Sequence, residues 1–387
     1  MKQRPRIIRN WREVEPPGPV KAPLSDESFG FVTDLSGAVG LSHLRVGHFR
    51  LRPGERSNPP IVMRDMETFV FVLEGAPDLF IDGHIYRLQE GHGVHFNDRT
   101  GIAQSFLNNA SADARLFIFS EPMLRNMRAR HPLPGDEAAD ENLKKMGLHW
   151  SDAPKHRLGP HDGLTDARRG TPSPKGAKKR KLPDFVTHWS DILERKEVTY
   201  PASKETHGHD AAFGKRARFS RIGVHLEVLK PGRRTSWPHA ERDEEEFAFV
   251  VSGHVDCWLD GHITPMWAGD LVGWEAGTGL THVIINNSRN NAILIVGGEA
   301  SRARNQFWYP FHPARNKDIG ALYWHDHPVP KLGPHDGLPD ALRAGLPGAA
   351  CRSALVANES ARKLGMSRTR SKTKNRASRK KAKKRTA

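Results

Sequence analysis

A duplication constrains this chain more than any other feature. LGPHDGLTDARR at Leu158–Arg169 recurs as LGPHDGLPDALR at Leu332–Arg343, each behind a similar lead-in, LHWSDAPKH and LYWHDHPVP. Upstream the halves match again at an offset of 178 residues. RPGERS at Arg52 pairs with KPGRRT at Lys230, and TFVFVLEGAPDLFIDGH at Thr68 with EFAFVVSGHVDCWLDGH at Glu246. GHGVHFNDRTGIAQSFLNNAS at Gly91 pairs with GDLVGWEAGTGLTHVIINNSR at Gly269. Matches in one unbroken order imply a duplicated unit, and a period of about 175 residues is that of a domain rather than of a solenoid repeat.

Within each copy the pattern is one of short strands. VGHFRLRPG and IGVHLEVLKPG both end in a Pro-Gly turn, and Asp82-Gly83 and Asp260-Gly261 are hairpin signals between apolar runs. Phe69, Phe71 and Leu73 alternate with Val70 and Val72, as Phe247, Phe249 and Val251 do with their neighbours. No long helical period interrupts these segments, so an all-β fold of two tandem barrels or jelly rolls is expected, with short peripheral helices in 121–145 and 300–319. The expected division is a first domain over 1–166, a basic flexible linker over 167–183, a second domain over 184–345 and a disordered basic tail over 346–387.

Charge follows that division. The formal charge is +16, but 13 Lys/Arg and no acid lie from Arg362 to the end, and seven more lie between Ala167 and Leu182. The remainder sums to −4, so binding of nucleic acid or another polyanion would fall to the flexible segments, above all the tail. No run of 18 apolar residues exists to span a membrane, and the charged N-terminus lacks the apolar stretch of a secretory signal. Cys257 and Cys351 are too few for a disulfide framework and point to a reducing, cytoplasmic setting.

The second copy reads Gly232-RRTSWP-His239-Ala240-Glu241-RDEE-Glu246-FAFVVS-Gly253, then Gly269-DLVGW-Glu275-Ala276-Gly277-TGLT-His282-VII-Asn286. These segments resemble the two motifs of the cupin superfamily, whose first is Gly, a spacer, His-x-His, Glu and Gly, and whose second is Gly, Pro-x-Gly, His and Asn. The resemblance covers roughly residues 45–120 and 222–300. With the LGPHDG repeat, the chain is similar to a bacterial group of cupin proteins of no settled function. It implies a bicupin, with tandem jelly-roll-like double-stranded β-barrels. Three departures stand out: a spacer one residue longer, Glu275 for the motif's Pro, and Glu241 for the second His. The last turns a 3-His-1-Glu set into a 2-His-2-Glu set.

The residues support ligation independently. His239 and Glu241 are two apart and face one side of a strand; Glu246 follows after a polar turn, and His282 arrives from a distant strand. Two imidazoles and two carboxylates suit one divalent transition metal per chain: Fe, Mn, Zn or Ni. At the same offset the first copy has Ile61, Met63, Thr68 and Gln104, none a ligand for a hard ion, so its barrel is expected to be structural or a dry binding pocket.

The expected function is a metal-dependent enzyme acting on a small polar molecule, such as a sugar or an organic or aromatic acid, as an isomerase, dioxygenase or decarboxylase. His239, Glu246 and His282 would be ligands, Glu241 a fourth ligand or a general base, and Glu275 a second candidate base. The alternative is a non-catalytic small-molecule-binding or sensor bicupin with a polyanion-binding tail. A homo-oligomer is compatible with either. Tyr309, His312 and Arg315 form a candidate lid that could reach an anionic substrate. His207-Gly208-His209-Asp210 reads as a polar loop, and the two Pro-His-Asp-Gly motifs read as structural clamps.

Overall fold

The Pro-Gly and Asp-Gly turns fold the chain back at the same places in both copies. Asp82 and Gly83, like Asp260 and Gly261, all take positive φ, the type I′ geometry whose twist matches a two-residue hairpin. The computed structural model describes residues 4–21, 27–122, 127–201, 203–300 and 305–345; the basic tail expected over 346–387 lies outside these residues.

Each copy forms a six-stranded and a four-stranded sheet. In the first six-stranded sheet the order is Val186–His188, His92–Phe96, Thr68–Glu74, Ala114–Ser120, Arg45–Leu51 and Phe31–Asp34. In the second it is Ile8–Asn10, Asp270–Trp274, Glu246–Ser252, Ala292–Glu299, Ile222–Leu229 and His209–Ala211. The neighbouring strands in these sheets are antiparallel. The helices are short, the longest being Glu137–Lys145. The expected all-β tandem architecture is the one found.

The edge strands cross over. Ile8–Asn10, from the start of the chain, pairs with Asp270–Trp274 in the second barrel, while Val186–His188 pairs with His92–Phe96 in the first. Each barrel borrows an edge strand from the other copy, so sheet membership does not follow the expected cuts at 166 and 184. The tryptophan after each borrowed strand packs on a glycine of its host. A Cβ on Gly91 would lie 2.9 Å from Trp189 and one on Gly269 2.8 Å from Trp11, and both glycines have φ near +90°.

This exchange brings the outer faces of the two large sheets together. Phe69, Phe71, Phe117 and Phe119 of the first barrel share one core with Phe213, Phe247 and Phe249 of the second. Val70 and Val72, and Val250, point into their own barrels. With both faces buried, residues 69–72 and 247–250 are continuously apolar. Each buried phenylalanine contributes about 1.5–3 kcal/mol.

Two buried carboxylates seal the joint reciprocally. Glu245 accepts hydrogen bonds from the backbone N–H of Ser42, His43 and Leu44 and from the Ser42 hydroxyl. Glu67 accepts from the backbone N–H of Ser220, Arg221 and Ile222 and from the Ser220 hydroxyl.

The segment 167–183, expected to be a free linker, is laid against the first barrel instead. Asp166–Arg169 is a helical turn, Ala177 is fully buried, and Lys178–Lys179 pairs in parallel with His84–Arg87. Backbone hydrogen bonds and the Ala177 side chain outweigh the basic composition. The LGPHDG motifs dock on the hairpin turns: Gly159 and His161 donate to the carbonyls of Asp82 and Gly83, and Gly333 and His335 to those of Asp260 and Gly261. Arg169 then pairs with Asp162, and Arg343 with Asp336, as a clamp requires.

Candidate metal centre

Three ligand-type residues of the second barrel come from different segments and meet inside it. His282 begins the strand His282–Asn286, Glu246 begins Glu246–Ser252, and His239 directly precedes Ala240–Glu241. His239 and His282 face each other across an isolated antiparallel bridge. Gly298 lies opposite Glu246 in the neighbouring strand, and a Cβ there would approach Glu246 Cγ to 3.2 Å and the Glu245 carbonyl to 2.7 Å. Glycine thus gives the carboxylate room.

His282 Nε2 lies 3.0 Å and His239 Nε2 3.4 Å from Glu246 Oε2. The ligand atoms of these three residues all lie within 4.8 Å of one another. Both rings are oriented from behind. His239 Nδ1 is 2.8 Å from the Trp237 carbonyl and His282 Nδ1 3.2 Å from the Leu280 carbonyl. With Nδ1 donating to each carbonyl, both Nε2 atoms face the carboxylate, where each can carry a proton hydrogen-bonded to Glu246 or, once deprotonated, offer its lone pair to a metal ion. Trp274 stacks on His282 at 4.0 Å and Tyr309 on His239 at 5.7 Å, fixing the ring planes. Three electron-pair donors converging on one point fit a small divalent cation.

The same contacts govern protonation within the cluster. Burial opposes charge on Glu246, but hydrogen bonding to His239 and His282 outweighs it and holds the carboxyl below its ordinary range. Burial likewise opposes charge on His239, yet contact with Glu246 raises its pKa. Glu241 is buried beside them, its Oε1 3.7 Å from His239 Nε2 and its Oε2 accepting from Asn305 Nδ2 at 2.8 Å. Burial and then the charge of Glu246 push its pKa well up. Glu241 therefore stands at the edge of the cluster rather than within the three-residue set.

The site opens into a cavity of about 450 Å³. Its wall holds residues that sequence reasoning passed over. Glu227 is pushed up to about 8, chiefly by burial, with His225 and Asp210 next to it. His225 Nδ1 lies 2.9 Å from Asp210, and this contact raises the imidazole pKa against the effect of burial. Glu244 lines the same space. The supposed polar loop around Asp210 is an edge strand, His209–Ala211, paired with Ile222–Leu229.

Other candidates lie elsewhere. Glu275 is exposed on the turn after Trp274 and does not line the cavity, because that turn directs it outward to solvent. Tyr309 backs His239 from outside the cavity, His312 stacks on Trp237, and Arg315 lies over the Tyr200 and Tyr309 rings, so these three form an aromatic support and not a lid. His207 Nδ1 is tied to the Arg234 carbonyl and His209 Nδ1 to the Glu194 carbonyl.

Residues 225–297, which hold all of this site except its flanks, match the family described as Cupin domain. Among solved structures the chain is similar to the Lactobacillus farciminis oxalate decarboxylase formate complex, at 16% identity over 79% of this chain and 89% of that one, with a TM-score of 0.47. It is similar to a Bacillus subtilis oxalate decarboxylase with Mn(II) centres at 13% identity, over 77% and 78% of the chains and a TM-score of 0.46. It is similar to the protein Ylba from E. coli, of the family DUF861, at 15% identity, over 76% and 90% and a TM-score of 0.46. No curated protein matches the sequence. The Cupin domain match falls within the second barrel, and the mostly β architecture of two tandem barrels is the one expected from the motifs.

Proposed function

We propose that the second barrel is a mononuclear metal-dependent enzyme site for a small polar molecule, with His239, Glu246 and His282 as ligands. One observation carries this reading: two imidazoles, each anchored through Nδ1 to a carbonyl, present Nε2 to one half-buried carboxylate inside a cavity. His239, Glu246 and His282 would hold Fe, Mn, Zn or Ni, and the bound ion would supply polarisation of a substrate oxygen. The remaining work falls to the chain's own groups. Glu241, with its raised pKa and its Asn305 partner, holds or releases a proton at Oε1 beside the ligands. Glu227, pushed up to about 8, keeps its proton near neutral pH and donates a hydrogen bond to a substrate oxygen. Sugars and small organic acids are the substrate classes that these groups can bind.

The test is turnover of a panel of both classes by metal-loaded protein, with and without chelator. The reading expects activity that chelator removes and metal restores. Stoichiometric metal with no turnover of either class would contradict it and leave ligand binding as the function. The basic segment 362–387 is proposed to bind polyanions without sequence preference. Deleting it should then remove low-salt nucleic-acid affinity, and unchanged affinity would refute that role.

A further inference from the structure

The first barrel keeps the cavity but inverts its chemistry. At the offset of 178 residues His239 is Ile61, Glu241 is Met63, Glu244 is Met66, Glu227 is Phe49 and His225 is Gly47. The geometry persists: Ile61 and Gln104 form the same isolated antiparallel bridge as His239 and His282. A metal-free barrel with no other role should fill this space with side chains, since interiors pack densely and empty volume is costly. Instead a cavity of about 410 Å³ remains, lined by all the replaced residues.

Two further features distinguish it from a packing defect. Its wall includes Met63, Met66, Met127 and Met146, four of the chain's eight methionines, which gives a polarisable lining that adapts to a guest. Three of the residues lining it carry a buried polar atom with no hydrogen-bond partner: Gln104 Oε1, Thr68 Oγ1 and Thr33 Oγ1, on residues 8%, 7% and 2% exposed. A buried polar atom without a partner costs about 1–3 kcal/mol. Gln104 and Thr68 stand where His282 and Glu246 stand in the other barrel, so the ligand positions have become hydrogen-bonding positions. The charged residues on the lining, Asp34 and Arg45, are exposed at the rim.

We infer that the first barrel is a second, metal-independent binding site for an uncharged, mainly apolar small molecule carrying a hydroxyl group. The hydroxyl donates to Gln104 Oε1 and accepts from Thr68 or Thr33, and the apolar body lies against Ile61 and the methionines. A hydrocarbon would leave the polar atoms unpaired, and an anion would meet no buried cation.

The experiment titrates the full-length protein with 2-naphthol, followed by its fluorescence, and with naphthalene as the hydroxyl-free comparison. One saturable 2-naphthol site per chain is expected, unchanged by chelator. Gln104→Leu should weaken 2-naphthol about tenfold, the worth of one hydrogen bond, and leave naphthalene unchanged. Ile61→Trp, or Met63→Trp if the first variant does not fold, should abolish binding of both probes while the melting transition is retained. No saturable binding by wild type, binding that survives a folded cavity-filling variant, or an equal effect of Gln104→Leu on both probes would overturn the inference.

Discussion

His239 and His282 exchange backbone hydrogen bonds across an isolated bridge, with N···O distances of 3.3 and 2.9 Å, and this pairing places two imidazoles on one side of the barrel wall. The same bridge joins Ile61 and Gln104 in the first copy at 3.1 and 3.0 Å. The backbone that builds the candidate centre is thus present twice, and the side chains alone distinguish the barrels.

Glu241→Gln separates a ligand from a proton carrier. Because Glu241 stands outside the three-residue cluster and is held by Asn305, the amide should keep metal content near wild type. Turnover should fall by about 10²-fold or more. Metal analysis beside steady-state kinetics checks this, and loss of metal would make Glu241 a ligand.

The buried carboxylates at the joint make a stability prediction. Glu245→Ala strands three backbone N–H groups and a hydroxyl of the first copy, and Glu67→Ala strands the equivalent groups of the second. Each change should cost about 3 kcal/mol or more, read from the midpoint of denaturant unfolding. A loss below about 1 kcal/mol would mean that water replaces the carboxylate.

The exchanged strand predicts action at a distance in sequence. Removing residues 1–14 deletes Ile8–Asn10 from the second barrel's sheet, where it borders Asp270–Trp274 and hence Trp274, the ring stacked on His282. Metal affinity of the truncated chain should fall although no ligand is touched, which a metal titration would reveal.

Acid should weaken the fold through His48. This fully buried ring stacks on Trp11, and burial, then Arg115, Arg12 and Arg50, lower its pKa from 6.5 to about 3. Between those values the unfolded chain binds the proton and the folded chain does not, so stability falls as pH drops below 6.5. The slope is about 1.4 kcal/mol per pH unit for one such group. Both ring nitrogens lack partners, so His48→Phe should cost little at pH 7 and flatten the acid limb of a melting-temperature profile. An unchanged profile would exclude His48 as the source.

Much of this could be read from the sequence, for reasons that particular residues make plain. The Asp-Gly turns and the long ordered matches revealed both barrels, and His239, Glu246 and His282 stood at motif positions in the second copy. The exchanged strands escaped notice because Ile8–Asn10 and Val186–His188 have three residues each, too few to show a period. Glu245 sits in an acidic run that reads as a solvated turn, yet it is fully buried against Ser42 and Leu44. In Ile222–Leu229 the alternation of apolar residues with His225 and Glu227 suggests a strand with one wet face. Here the polar face points into the cavity, because the outer face is buried against the other barrel. Glu275 misled because its motif position specifies the turn and not the direction of its side chain.

The most direct test of the account is the number of metal ions per chain. Protein grown with Fe, Mn, Zn and Ni supplied, then measured by elemental analysis, should hold one divalent ion per chain. His282→Ala should hold none, and Gln104→Ala should match wild type. Two ions per chain, or a full ion retained by His282→Ala, would contradict the assignment of a single centre to His239, Glu246 and His282. So would wild-type protein that holds no metal and takes none up.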